Sequence, residues 1–134
     1  MSSTSGAVRP LDHVAVAVRS IAESAPLFEL LSRESCSTPE TLSAQGVRVA
    51  FVGAVELVEP LAPDTPVGRF LDRHGQGLHH IAYCTEDLES ELARLDAAGM
   101  RLVDPAPRTG AHGHRVAFVH PSSTGGVLVE LVER

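Results

Sequence analysis

The chain contains no run of roughly 18 apolar residues, the length a helix needs to cross a bilayer, so no transmembrane helix is expected. Its first ten residues, Met1 to Pro10, are rich in Ser and lack the charged start and apolar centre of a secretory leader. A soluble, cytoplasmic protein is expected. Cysteine is scarce: Cys36 and Cys84 are too few for the disulfide framework of a small secreted domain and too far apart for a close-spaced metal pair, which leaves two reduced thiols. Basic blocks are missing as well. With 11 Lys and Arg against 17 Asp and Glu, the net charge is -6 and nowhere gathers into a positive patch, which disfavours nucleic acid and anionic membranes as partners. An anionic small ligand stays open, because a few local cations or one metal ion suffice to bind it. No P-loop or dinucleotide fingerprint occurs, and Gly110 to Gly113 and Gly125-Gly126 read as turns.

What the chain does have is enough apolar residues for a real core, 43% of its 134 positions, and an internal repeat. A shift of 67 residues lays Leu11-Asp12-His13-Val14-Ala15 on Leu78-His79-His80-Ile81-Ala82, Ile21 on Leu88 and Phe28 on Leu95. The same shift lays Gly46-Val47-Arg48-Val49-Ala50-Phe51-Val52 on Gly113-His114-Arg115-Val116-Ala117-Phe118-Val119, with six of the seven identical. After seven extra residues in the second copy, Val55-Glu56-Leu57-Val58-Glu59 recurs letter for letter as Val129-Glu130-Leu131-Val132-Glu133. The chain therefore reads as one domain, 1–134, containing two similar modules, 11–60 and 78–134, each too short to stand alone and both contributing to one core. Residues 1–8 are expected to be disordered.

Periodicity orders the elements within each module. Leu11 to Val18 alternates as a strand, with His13, Ala15 and Ala17 on one face. A helix follows, for which Ser20 and Glu23 have capping-box spacing; a start at Ser24 reads better, because it moves Pro26 into the first turn. In the second module Glu86 and Asp87 suit a helix N-terminus, Leu88, Leu92 and Leu95 form the apolar stripe, and Gly99 suits the C-terminal end. Three strand-like runs follow each helix. Between the modules, Pro60 to Pro66 is turn-rich and Val67 to His74 reads as a short helix.

The duplication puts chemistry at equivalent places. Each module opens with a strand His (His13, His80) and closes with a strand Glu (Glu56, Glu130), supplying two imidazoles and two carboxylates. Glu56 shares a face with Val58, and Glu130 with Leu128 and Val132, so both carboxylates point along with aliphatics. A buried carboxylate needs a partner, and a divalent ion such as Zn, Co, Ni, Mn or Fe is one such partner. Taken singly, a His on an Ala-lined strand is more often structural than a ligand, and a strand Glu more often faces solvent. The repeat favours the metal, since a structural reading must explain both residues twice. His79 falls on the opposite face from His80 and reads as a surface or packing residue. His74, His112, His114 and His120 lie in or beside loops, and no spacing marks them as ligands.

With these residues in view, the modular pattern resembles the vicinal oxygen chelate (glyoxalase/bleomycin resistance) superfamily, whose members fold tandem βαβββ units into a cupped mixed sheet around a metal. The expected fold class is therefore α+β. More narrowly, Gln45-Gly46-Val47, Glu56 to Leu61, Gly77 to Ala82, and His120-Pro121 followed by Gly125 to Leu131 are similar to the methylmalonyl-CoA epimerase family. The likeness runs from about Leu11 to the C-terminus.

That resemblance implies one divalent ion per chain (Co, Zn, Mn or Ni) held by His13, Glu56, His80 and Glu130, with Glu130 also acting as the catalytic base. It implies interconversion of (2R)- and (2S)-methylmalonyl-CoA by 1,1-proton transfer through a metal-stabilised enolate, an acyl-CoA substrate, a homodimer and a place in propionate metabolism. Some family members carry a second catalytic Glu where this chain has Val49, which leaves the opposing acid/base group unassigned. Relatives often have a longer hairpin before the Glu56 strand; an even shortening preserves the face of Glu56. Alternatives within the superfamily are a glyoxalase-type lyase, an extradiol dioxygenase using two His and one Glu, and a non-catalytic ligand-sequestering protein. The second carboxylate at Glu56 disfavours the last two, and the epimerase-like segments disfavour the lyase.

Overall fold

A computed structural model of the chain describes residues 9–134; the expectation of disorder over residues 1–8 lies outside the described residues. The first five elements are β1 (Leu11–Ala17), α1 (Ile21–Ser32), β2 (Glu40–Leu42), β3 (Val47–Val52) and β4 (Val55–Pro60). Helix α2 (Pro66–His74) follows, then β5 (Gly77–Thr85), α3 (Leu88–Ala97), β6 (Arg108–Thr109), β7 (Arg115–Val119) and β8 (Val129–Glu133). This is a βαβββ order run twice, with α2 at the joint, in a mixed sheet ordered β2-β3-β4-β1-β5-β8-β7-β6.

The pairing repeats as faithfully as the letters do. Parallel β1 and β4 align Ala15 with Glu56, and parallel β5 and β8 align Ala82 with Glu130. Antiparallel β3 and β4 set Phe51 opposite Glu56, and β7 and β8 set Phe118 opposite Glu130. The β3–β4 connection is a two-residue turn, Gly53-Ala54, between the paired Val52 and Val55. Gly53 has φ +59, a left-handed conformation that favours glycine in so tight a turn. The turn keeps Glu56 on its face.

The identical Val-Glu-Leu-Val-Glu segments have a further physical role. Glu59 accepts the Ile21 backbone N–H (2.8 Å) at the start of α1, and Glu133 accepts that of Leu88 (2.9 Å) at the start of α3. Each closing strand thus supplies one buried Glu on one face and a second Glu that satisfies a donor at the N-terminal end of its module's helix, where negative charge is favoured. Helix α1 starts at Ile21, not Ser24: Ser20 caps it by accepting from Glu23 N (3.2 Å), and Pro26 sits inside the helix. The cap, the Glu59 contact and the packing of Ile21 and Ala25 against Ala50, Val52 and Leu57 offset the hydrogen bond that Pro26 cannot donate. Helix α3 follows its predicted form, with Asp87 accepting from Ser90 N, Ala98 as C-cap, and Gly99 at φ +85 just beyond.

The described residues form two compact units. One consists of His13–His80 with Gly110–His112; the other holds the described residues up to Asp12 with Ile81–Thr109 and Gly113–Arg134. In the first, α1 covers one sheet face through Ile21, Ala25, Ala50, Val52 and Leu57. Helix α2 covers the opposite face through Val67 and Leu71, which pack on Ala15, Ala17, Val47, Val49 and Val58. In the second, Leu88 and Leu92 of α3 pack on Ala117, Val119 and Leu131. Ala82, Val116 and Val132 form a smaller cluster there. Among the described residues no helix is long and apolar enough to cross a membrane.

Candidate metal centre

On the α2-facing side of the first unit, strand alternation and register bring polar groups into an apolar wall. His13 lies two residues before Ala15, Ala15 is registered with Glu56, and all three are buried, His13 to 5% and Glu56 to 6% exposure. His80, 7% exposed, comes from β5. Glu56 Oε1 lies 3.2 Å from His13 Nε2 and 3.5 Å from His80 Nε2, so a single carboxylate oxygen faces both imidazoles. Burial by itself would push the Glu56 carboxyl upward, but hydrogen bonds from His13 and His80 and the charge they carry outweigh it and hold the group at about 2. Phe51 stands edge-on to His13, with ring centres 5.5 Å apart.

Glu130, the fourth residue of the set, is also buried, at 8%. Its partner across β5–β8 is Ala82, two residues along β5 from His80 and therefore on the same face. His13, Glu56, His80 and Glu130 form a buried group that could hold a metal ion, one ligand atom from each lying within 4.8 Å of the others. The donors fit such an ion chemically. Two imidazoles and two carboxylates suit a borderline divalent metal, and two donor atoms about 2.1 Å from a shared centre stand about 3.0–3.4 Å apart, close to the separations around Glu56 Oε1.

Two neighbours of this group were not legible in the sequence. Glu40 pairs with Val49 across β2–β3, and Val49 shares its strand face with Phe51, which is opposite Glu56. Glu40 therefore belongs to the face that carries Glu56 and His13. Its Oε1 accepts the backbone N–H of His112 (2.9 Å), and His112, held at φ 57, lays its ring against Phe51 with centres 5.3 Å apart. Val49 is buried among Val47, Val58, Val67 and Leu71. Glu40 thus places a carboxylate on the strand next to Val49.

The second neighbour is His79. Alternation gives it the opposite strand face from His80, yet the two Nδ1 atoms are 2.8 Å apart. Phe70 of α2 packs against the His79 ring, with centres 4.9 Å apart. Backbone parity predicted the direction of Cβ and missed the reach of the imidazole. The remaining histidines have local roles: His74 packs on Phe70, His114 Nε2 is 3.3 Å from Arg134 Nη1, and His120 Nδ1 accepts from Ser122 N (3.0 Å) to start a 3₁₀ turn. Asp87, Glu89 and Glu133 also cluster, but at the surface, where Arg115 bonds both glutamates.

Comparison with known proteins identifies the family. Residues 12–118 match the Glyoxalase/Bleomycin resistance protein/Dioxygenase superfamily. The chain is 43% identical to the uncharacterized protein YqjC of Bacillus subtilis, over 92% of this chain and 91% of that protein. It is 37% identical to the mitochondrial methylmalonyl-CoA epimerase of Dictyostelium discoideum, over 92% of this chain and 78% of the relative. A solved variant of Streptomyces coelicolor methylmalonyl-CoA epimerase in complex with 2-nitronate-propionyl-CoA superposes with a TM-score of 0.89 at 30% identity, covering 95% of each chain.

Proposed function

Because the chain belongs to the Glyoxalase/Bleomycin resistance protein/Dioxygenase superfamily and, within it, to the methylmalonyl-CoA epimerase family, we propose that it interconverts (2R)- and (2S)-methylmalonyl-CoA. The observation that carries this reading is the buried His13, Glu56, His80 and Glu130 group with a further carboxylate, Glu40, on the Glu56 face. In methylmalonyl-CoA the C2 proton lies between a thioester carbonyl and a carboxylate. A divalent ion held by His13, Glu56, His80 and Glu130 would supply Lewis acidity toward the negative charge that develops on those oxygens.

The chain's own groups move the proton. Glu130 takes it from one side of C2 as general base, and Glu40 returns one from the other. The His112 N–H steadies the Glu40 carboxylate, and Phe51, edge-on to His13, shields the donors from water. Glu56, facing both imidazoles, counts against a two-His, one-Glu dioxygenase, in which it would have no ligand role.

In this reading the chain works as a single domain and a homodimer in the cytoplasm, serving propionate metabolism. The free thiols of Cys36 and Cys84 suit a reducing compartment. The test is metal analysis of the purified protein combined with C2 proton exchange in deuterium oxide on a panel of acyl-CoAs. Methylmalonyl-CoA should incorporate deuterium at C2, chelation should stop it, and Co, Mn, Ni or Zn should restore it. A metal-replete protein that exchanges none of the panel would overturn the assignment.

A further inference from the structure

We infer that His79 is a positioning residue for the metal centre, fixing the ring orientation and tautomer of His80; the inference rests on the metal reading above. Its basis is the 2.8 Å contact between the two Nδ1 atoms, with His80 Nε2 directed to the other side, 3.5 Å from Glu56 Oε1. A hydrogen bond between two ring nitrogens needs one proton, carried by one ring and accepted by the other. When His80 offers the lone pair of Nε2 to a cation, its one remaining ring proton is on Nδ1, and His79 Nδ1 is the acceptor. His79 in turn keeps its own ring proton on Nε2.

The acceptor is itself held in place. The His79 ring stands at 78° to that of Phe70, centres 4.9 Å apart, and Phe70 also packs against His74 (4.8 Å), so α2 buttresses the imidazole from behind. Neutral imidazole as the acceptor leaves the net charge of the donor set unchanged, unlike a carboxylate in the same place. A histidine ligand whose distal N–H is fixed in this way binds more tightly because no rotamer or tautomer must be selected on binding.

The experiment compares wild type, His79→Ala and His79→Asn; Asn presents Oδ1 close to where Nδ1 stands, so it can accept the same proton. The readouts are Co(II) and Zn(II) dissociation constants by competition with a chromophoric chelator, the visible absorption of the Co(II) protein, and thermal unfolding of the metal-free protein. His79→Ala should weaken metal binding by about 10- to 100-fold and alter the Co(II) spectrum, and His79→Asn should recover most of both. An Ala variant that binds with wild-type affinity and spectrum overturns the inference and leaves the metal reading intact. A loss in both variants that tracks a fall in metal-free stability also overturns it, since the role is then packing. Wild type that binds neither ion overturns the metal reading, and the inference with it.

Discussion

Glu40 stands directly across the β2–β3 pair from Val49, so the carboxylate and the buried valine share one sheet face from adjacent strands. Glu40→Gln retains an oxygen to accept the His112 N–H and removes the proton carrier. Epimerisation should fall by about 10²- to 10⁴-fold with the metal retained. Val49→Glu should give no gain in rate and should destabilise by more than about 2 kcal/mol in urea unfolding, because it drives a charge among Val47, Val58, Val67 and Leu71. An accelerated, fully stable Val49→Glu protein would contradict the placement of the second base on β2.

Glu130 is expected to differ from His13 and His80 in what it loses. His13→Ala and His80→Ala should each lose bound metal and activity together, read by metal stoichiometry after dialysis. Glu130→Gln, given excess metal, should still lose deuterium exchange at C2 by about 10²- to 10⁴-fold. Undiminished exchange in that metal-replete variant would remove Glu130 as the base.

Glu59 and Glu133 give a paired stability test. Glu59→Ala leaves the Ile21 N–H without its acceptor and should cost about 1 kcal/mol in urea unfolding, a typical helix-capping loss. The Glu133 carboxyl is held at about 2 by hydrogen bonds first from Arg115 and then from the Leu88 N–H. A carboxyl depressed in the folded state contributes stability above its unfolded value near 4.5, and that contribution fades as the pH falls toward 2. Wild type should therefore lose stability across that window, and Glu133→Gln should show a shallower decline there. Parallel stability curves for the two proteins below pH 5 would show that Glu133 carries no part of the acid response.

Gly68 tests the seating of α2. A Cβ at this position would stand 2.5 Å from the carbonyl oxygens of both Ala62 and Pro63, and backbone cannot swing aside as a side chain would. Gly68→Ala should destabilise by about 1–3 kcal/mol despite the higher helix propensity of alanine. Since α2 carries Phe70, which packs on His79, the same substitution should also weaken metal binding. A neutral or stabilising Gly68→Ala would show that this turn relaxes freely.

The repeated letters of the chain determined the βαβββ order, the inward placing of His13, Glu56, His80 and Glu130, and the family likeness. Each of these depends on a spacing within one strand or on a segment that occurs twice, and alternation along a strand is a local property of the backbone. Where short-range propensities competed, local reading went astray: Pro26 argued for a helix starting at Ser24, whereas the Ser20 cap and Glu59 fix the start at Ile21. Glu40 and His79 belong to the tertiary structure alone. Glu40 lies in a stretch whose letters do not recur in the second module, and it gains its place only through the register of β2 on β3. His79 has the wrong strand parity, and its ring meets His80 only because a side chain several bonds long can reach past its own backbone, with Phe70 of α2 packed against it. Strand register and side-chain reach are relations between residues far apart in the chain or past the Cβ atom, and no one-dimensional periodicity encodes them.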